Sequence, residues 1–261
     1  MRYLRLLAAF LRIGLITEAA YRVNFFIQLF QSLLNLGMTL GGLAVIFSYT
    51  KLLGDWKPDE VLALVGVYFL VGGMIRMVIQ PAMEHFIESV RTGNLDFTLT
   101  KPEDAQLLVS ISSVEIWEMI DIVLGFAVLI TALVRLGGNV GVSQAAEFIA
   151  MLLAGGIIIY SFWLILATIA FWLVRIENIL MIFQSMYEAG RWPISLYPGW
   201  LRYGLTFIVP VAFATTVPTE ALIGHLNWET LVIAVSFAVI LFAGSRLFWR
   251  AGLRHYSGAS A

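Results

Sequence analysis

The chain has 261 residues, 60% of them hydrophobic, and only 33 carry a formal charge, 16 Lys or Arg and 17 Asp or Glu. That is about half the charged fraction of a soluble domain, and with a mean hydropathy of +0.89 it excludes an ordinary water-soluble fold and provides for about six apolar segments of ~20 residues. A net charge of -1 argues against a nucleic-acid partner, and zero cysteines exclude a disulfide scaffold, a thiolate metal site or a cysteine nucleophile. The composition predicts an all-α polytopic membrane protein.

Residues 1–20 place Arg2, Arg5 and Arg12 within about 80° of one another on a helical wheel, which predicts an amphipathic interfacial helix. Arg12 and Glu18 interrupt its apolar stretch, so the segment is expected to stay attached rather than act as a cleaved leader. Arg22 and Lys51 then enclose 28 residues without a formal charge, enough for about 42 Å of helix, and residues 22–50 are expected to be the first span. A second span is expected at 59–82, a third at 105–134 and a fourth at 146–174, where 27 uncharged residues separate Glu147 from Arg175.

After Arg175 the pattern becomes irregular. A fifth span at 177–193 meets Glu188, Arg191 and Pro193, and the apolar residues 199–224 follow Pro198 and contain Pro210 and Pro218. Interrupted backbone at membrane depth is tolerated where protein or water covers it, so 199–224 is expected to form an outer re-entrant hairpin before the sixth span, 228–249. Lys and Arg favour the cytoplasmic side. Six spans with both termini inside put ten of these residues on that side and five outside, whereas a seventh span would export Arg246, Arg250 and Arg254. The expected location is a cell membrane, inner or plasma.

Polar groups inside the spans are costly and therefore informative. Asn24, Gln28, Gln31 and Asn35 recur on one face of the first span, which predicts either interhelical hydrogen bonding or the lining of a translocation path. Arg76 lies within the second span, and Glu115, Glu118 and Asp121 open the apolar part of the third on one broad face at matching depth. Pairing of Arg76 with Glu118 or Asp121 is one reading; acids wetted at the interface are the other. Gly37 and Gly41 form a GxxxG pattern that permits close helix packing. His85, His225 and His255 are scattered, and the sequence has no HExxH, GxSxG or GxxxxGK[ST] motif. No catalytic or metal site is expected in the chain.

Residues 83–103 join spans two and three, reading as a short amphipathic helix stopped by Gly93 and an extended exit at Lys101-Pro102. Phe86, Ile87, Val90, Leu95, Phe97 and Leu99 are too apolar for a free loop and predict docking on the membrane surface, on the rest of the chain or on another protein, with a partner protein favoured. The segment from Ser89 to Pro102 resembles the first cytoplasmic loop of type-2 ATP-binding cassette (ABC) transporter permeases. Trp192-Pro193 through Pro198-Gly199-Trp200-Leu201-Arg202, with Pro210 and Pro218, is similar to the outer re-entrant region of that family. Together with the amphipathic start and six spans, the resemblance covers nearly the whole chain.

It implies a permease, an exporter by family likeness, that pairs with itself or a related permease in the bilayer and is driven by two separate ATPase subunits. Those subunits, not this chain, would bind ATP and Mg. The coupling role would fall on Glu84, Phe86, Ile87, Glu88, Val90, Arg91 and Gly93, tilting spans one, two and five. The other classes the sequence leaves open are a secondary transporter or channel and a membrane-embedded enzyme.

Overall fold

The computed structural model describes residues 22–137, 141–173 and 177–256; the interfacial helix expected at 1–20 lies outside them. Among the described residues, five helices are long and apolar enough to cross a membrane: Val23–Tyr49, Pro58–Thr92, Ile116–Arg135, Val142–Phe171 and Trp228–Leu253. The first, α1 (Arg22–Tyr49), has no charge after its opening residue and leaves much of its surface uncovered, with Phe26, Phe30, Met38 and Val45 exposed. The second begins at Lys57, whose backbone N–H donates to Glu60 Oε2 at 2.8 Å, and Pro58 then opens α2 (Pro58–Met74).

This second helix does not stop at 82. It passes through a π turn, Ile75–Ile79, into α3 (Gln80–Thr92) and ends at Gly93, whose φ of +76° suits a residue without Cβ. The amphipathic helix expected inside a loop is therefore the far end of the spanning rod. Residues 105–134, in contrast, do not form one helix. The one-turn α4 (Asp96–Leu99) precedes α5 (Ala105–Ser110), which the Asp104 side chain caps by accepting from the Leu107 N–H at 3.2 Å. A 3-10 turn, Ile116–Glu118, leads into α6 (Met119–Arg135).

The next span is α7 (Val142–Thr168), with a 3-10 turn at its end. Where the fifth span is expected stands α8 (Glu177–Tyr187) and a 3-10 turn to Arg191; α8 alone is about 16 Å long, short of the ~30 Å apolar layer. Short pieces follow: α9 (Gly199–Tyr203), a π turn to Ile208, α10 (Val211–Ala214) and α11 (Thr216–Ile223). The last helix is α12 (Trp228–Leu253).

Side-chain contacts order these elements along the bundle. The C-terminal half of α1 meets the start of α2 through Leu43, Trp56, Val61 and Leu64, and Arg135 at the end of α6 lies 4.0 Å from Asp59. At the opposite end, Phe86 of α3 touches Phe171 just after α7 and Trp249 of α12, with ring centroids 5.4 and 5.0 Å apart. Between α7 and α12 the chain runs from Leu180, beside Ile87, past Tyr187, stacked on Tyr68, to Trp192 near Trp56. It then turns back: a Cβ on Gly155, midway along α7, would collide with the Phe213 carbonyl, while Gly224 abuts Gln144 at the start of α7.

The most extensive packing joins α2 to α6. In lipid there is no water to drive apolar surfaces together, so close approach of backbones has to supply the attraction. Gly66, Gly73 and Gly125 allow it: a Cβ on Gly66 would lie 2.7 Å from Leu129 N, and one on Gly125 would fall on Leu70 N. The GxxxG glycines Gly37 and Gly41 have nothing within 4 Å of a built Cβ. Gly125→Leu is therefore expected to lower stability by about 2 kcal/mol or more through overpacking, seen as early melting in detergent, whereas Gly37→Leu leaves the melting curve of the single chain in place.

Candidate functional site

Pro81 has no N–H to give to the carbonyl four residues earlier, that of Met77. In a bilayer such a carbonyl must be met from within the protein, and here the Glu115 backbone N–H donates to it at 2.9 Å. The π turn at Ile75–Ile79 precedes this proline and includes Arg76, so the helix is widened where the half-buried cation sits. Such single wide turns are frequent at functional positions.

Arg76 is met by both carboxylates that the sequence offered. Its Nε donates to Glu118 Oε2 at 2.7 Å, and its Nη2 pairs with Asp121 Oδ2. Gln28 of α1 completes the group, its Nε2 donating to Glu118 Oε1 at 2.8 Å. One guanidinium thus fastens α1, α2 and α6 together midway along the rod Pro58–Thr92. Glu118 and Asp121 are nearly buried while Arg76 keeps about a third of its side chain exposed, an arrangement in which two desolvated acids depend on one cation.

The four polar residues of α1 do not share one environment. Gln28 reaches the charge cluster, Asn24 lies exposed beside it along a cavity with Glu115 and Trp117, Gln31 is exposed, and Asn35 is half-buried with its carbonyl accepting from Thr39. Glu115 is exposed and gives its backbone N–H to the Met77 carbonyl. On the other side of Arg76 a cavity of about 180 Å³ is bounded by Gln80, Trp163, Gln184 and Tyr187; the Trp163 indole N–H is buried there and has no hydrogen-bond partner among the described residues.

A family model described as ABC-2 family transporter protein matches residues 33–260. The chain belongs to that family. Comparisons with curated proteins and with solved structures give no match. It is thus a multi-pass membrane permease of an ABC transporter, and the helix end at 83–93 gains interest accordingly.

There the permease departs from what its sequence suggests. Phe86, Ile87 and Leu95 are buried by the chain itself, Val90 is half-buried, and only Phe97 and Leu99 among the apolar residues are exposed. The cover comes from far along the chain, Phe171 and Trp249, with Tyr256 reaching Gly93. Glu84, Glu88 and Arg91 face outward, Arg91 pairing with Glu88 at 2.6 Å.

A second polar junction on this end escapes sequence reasoning. Arg246 of α12 pairs with Asp104 and donates to Gln106 Oε1 at 2.6 Å, and Gln106 in turn donates to Tyr160 of α7 at 3.1 Å. Arg246 read from sequence is one more basic residue near a span end; its only advance signal is its place inside an apolar run. The prolines of 193–224 fall in two settings: Pro193, Pro210 and Pro218 are buried, Pro198 is exposed.

Two outcomes are expected. Arg76→Met strands two buried carboxylates and should cost about 3 kcal/mol, while the triple variant Arg76→Met, Glu118→Gln, Asp121→Asn recovers most of that loss in thermal unfolding. The hydrogen bond from Arg246 holds the Asp104 carboxyl below its usual range. That stabilisation is present above the ordinary carboxylate pKa and is lost as pH falls through the lowered one. Asp104→Asn should therefore lower the melting temperature at pH 7, by no more than about 1 kcal/mol equivalent because both side chains are about a third exposed, and the difference should vanish as pH falls through the lowered carboxyl pKa.

Proposed function

We propose that this permease is the membrane subunit of an ATP-driven exporter whose motor is a separate pair of ATPase subunits docking on the Gly93 end. The observation that carries this reading is the single rod Pro58–Thr92. Its α3 end presents Glu84, Glu88 and Arg91 outward while Phe86 and Ile87 are gripped inside, so a force on the polar face has no flexible loop in which to dissipate. From Phe86 the push passes to Trp249 and Phe171, at the ends of spans six and four; from Ile87 it reaches Leu180 of α8; from Arg76 it reaches α1 through Glu118 and Gln28. The route thus includes spans one, two and five and adds four and six.

In this reading the chain crosses six times. Because α7 ends beside Phe86 and α12 begins at the other end, α8 and the turns to Trp192 make the return passage, and residues 199–224 enter to the depth of Gly155 and come back as the re-entrant hairpin. The Gly93 end, with both termini, is cytoplasmic, and a second permease, itself or a paralogue, completes the path in the bilayer. ATP and Mg bind the partner ATPases, which supply the energy; the chain itself binds neither.

The test is reconstitution with ATPase subunits. Glu84→Lys with Glu88→Lys, both on the exposed face, is expected to weaken ATPase association or its stimulation about tenfold, a loss of ~1.4 kcal/mol, with the melting temperature unchanged. Phe86→Ala should reduce both stability and coupling. Unaltered association and stimulation in the double-lysine variant would refute docking at this helix.

A further inference from the structure

At the end of the bundle opposite Gly93, a cleft of about 420 Å³ opens between α1, the start of α2 and α6. Its walls are Leu36, Leu40 and Phe47 on one side and Leu124, Ala127 and Val128 on the other. Asp59 and Arg135 close its outer end, 4.0 Å apart and with side chains 37% and 63% exposed. A separation at the limit of an ion pair leaves both groups free to bind something else.

The dimensions choose the occupant. From Leu36 to Phe47 the cleft runs about 16 Å along α1 at ~1.5 Å per residue, which is one leaflet of a ~30 Å apolar core. A volume of 420 Å³ open to the centre of a water molecule, spread along about 16 Å, sets the walls roughly 8 Å apart, narrower than the ~10–12 Å diameter of a helix with its side chains. Another helix, from a second copy or from residues 1–20, cannot enter it. A single hydrocarbon chain can. The charges agree: a phosphate would meet the Arg135 guanidinium while a headgroup ammonium meets Asp59, and both lie where the cleft reaches the aqueous boundary.

We propose that this cleft is a binding site for one glycerophospholipid, an acyl chain lying along α1 and α6 and a zwitterionic headgroup held by Arg135 and Asp59. The site is independent of how the permease is powered.

The full-length permease in nanodiscs containing phosphatidylethanolamine with a diazirine on its acyl chain provides the test. Crosslinks should concentrate on α1 and α6 in the cleft, and fall about tenfold, ~1.4 kcal/mol, on Ala127→Trp or, from the facing wall, Ala44→Trp. Both alanines are exposed, so the indole fills the cleft without entering the core. Val239→Trp, on exposed α12 surface, should leave the yield unchanged. Diacylglycerol with the same diazirine chain should label the cleft less than the phospholipid does, and Arg135→Gln should abolish that difference. Equal labelling of α12 and the cleft, indifference to both tryptophans, or no preference for the phospholipid would each overturn the site.

Discussion

Hydrocarbon offers no hydrogen bonds and no counterions, so each charge and each broken backbone bond inside the bilayer has to be answered by another part of the chain. Arg76 and Pro81 make both demands within six residues of the same helix. The answer to each comes from the stretch that opens α6: Glu118 and Asp121 for the guanidinium, and the Glu115 N–H for the carbonyl that Pro81 leaves open. The glycine contact of α2 with α6 then continues what these bonds begin. Charge sets the register of the two helices, and close packing holds it.

The two ends of this helix pair serve different purposes. Toward Gly93, aromatic rings from α3, α7 and α12 meet around Phe86 and Trp249, and Gly252 lets Phe171 approach closely. The Arg246 junction with Asp104 and Gln106 fixes α5 to α12 nearby. Toward Pro58, the cleft beside Arg135 opens between α1 and α6.

The sequence made the long helices and the Arg76 cluster legible, because a lone cation in an apolar segment is expensive and the nearest acids at equal depth are few. The helix at 84–92 and its stop at Gly93 were equally visible. What covers Phe86 was not, since amphipathicity says that a face is buried and not by what; Trp249 lies more than 160 residues away. Pro81 reads as the end of a span because the residue that rescues its helix is a backbone group 34 positions later. The glycines mislead for a similar reason: Gly37 and Gly41 have the spacing, but Gly66 and Gly125 have the neighbours, and spacing within one helix carries no information about the other. The broken passage after Arg175 was expected as irregular, and its charges and prolines are the cause.

The wide turn before Pro81 has a geometric consequence. A π turn holds one residue more than an α turn, and one residue of α-helix corresponds to about 100° of rotation and ~1.5 Å of rise. Were Ile75–Ile79 to tighten into regular helix, everything beyond Gln80 would swivel by that angle, carrying Phe86 away from Trp249 and turning Glu84 and Glu88 toward the bundle. A slip of a single residue in the middle of one rod is thus a change of grip between three helices, with no hinge needed at Gly93.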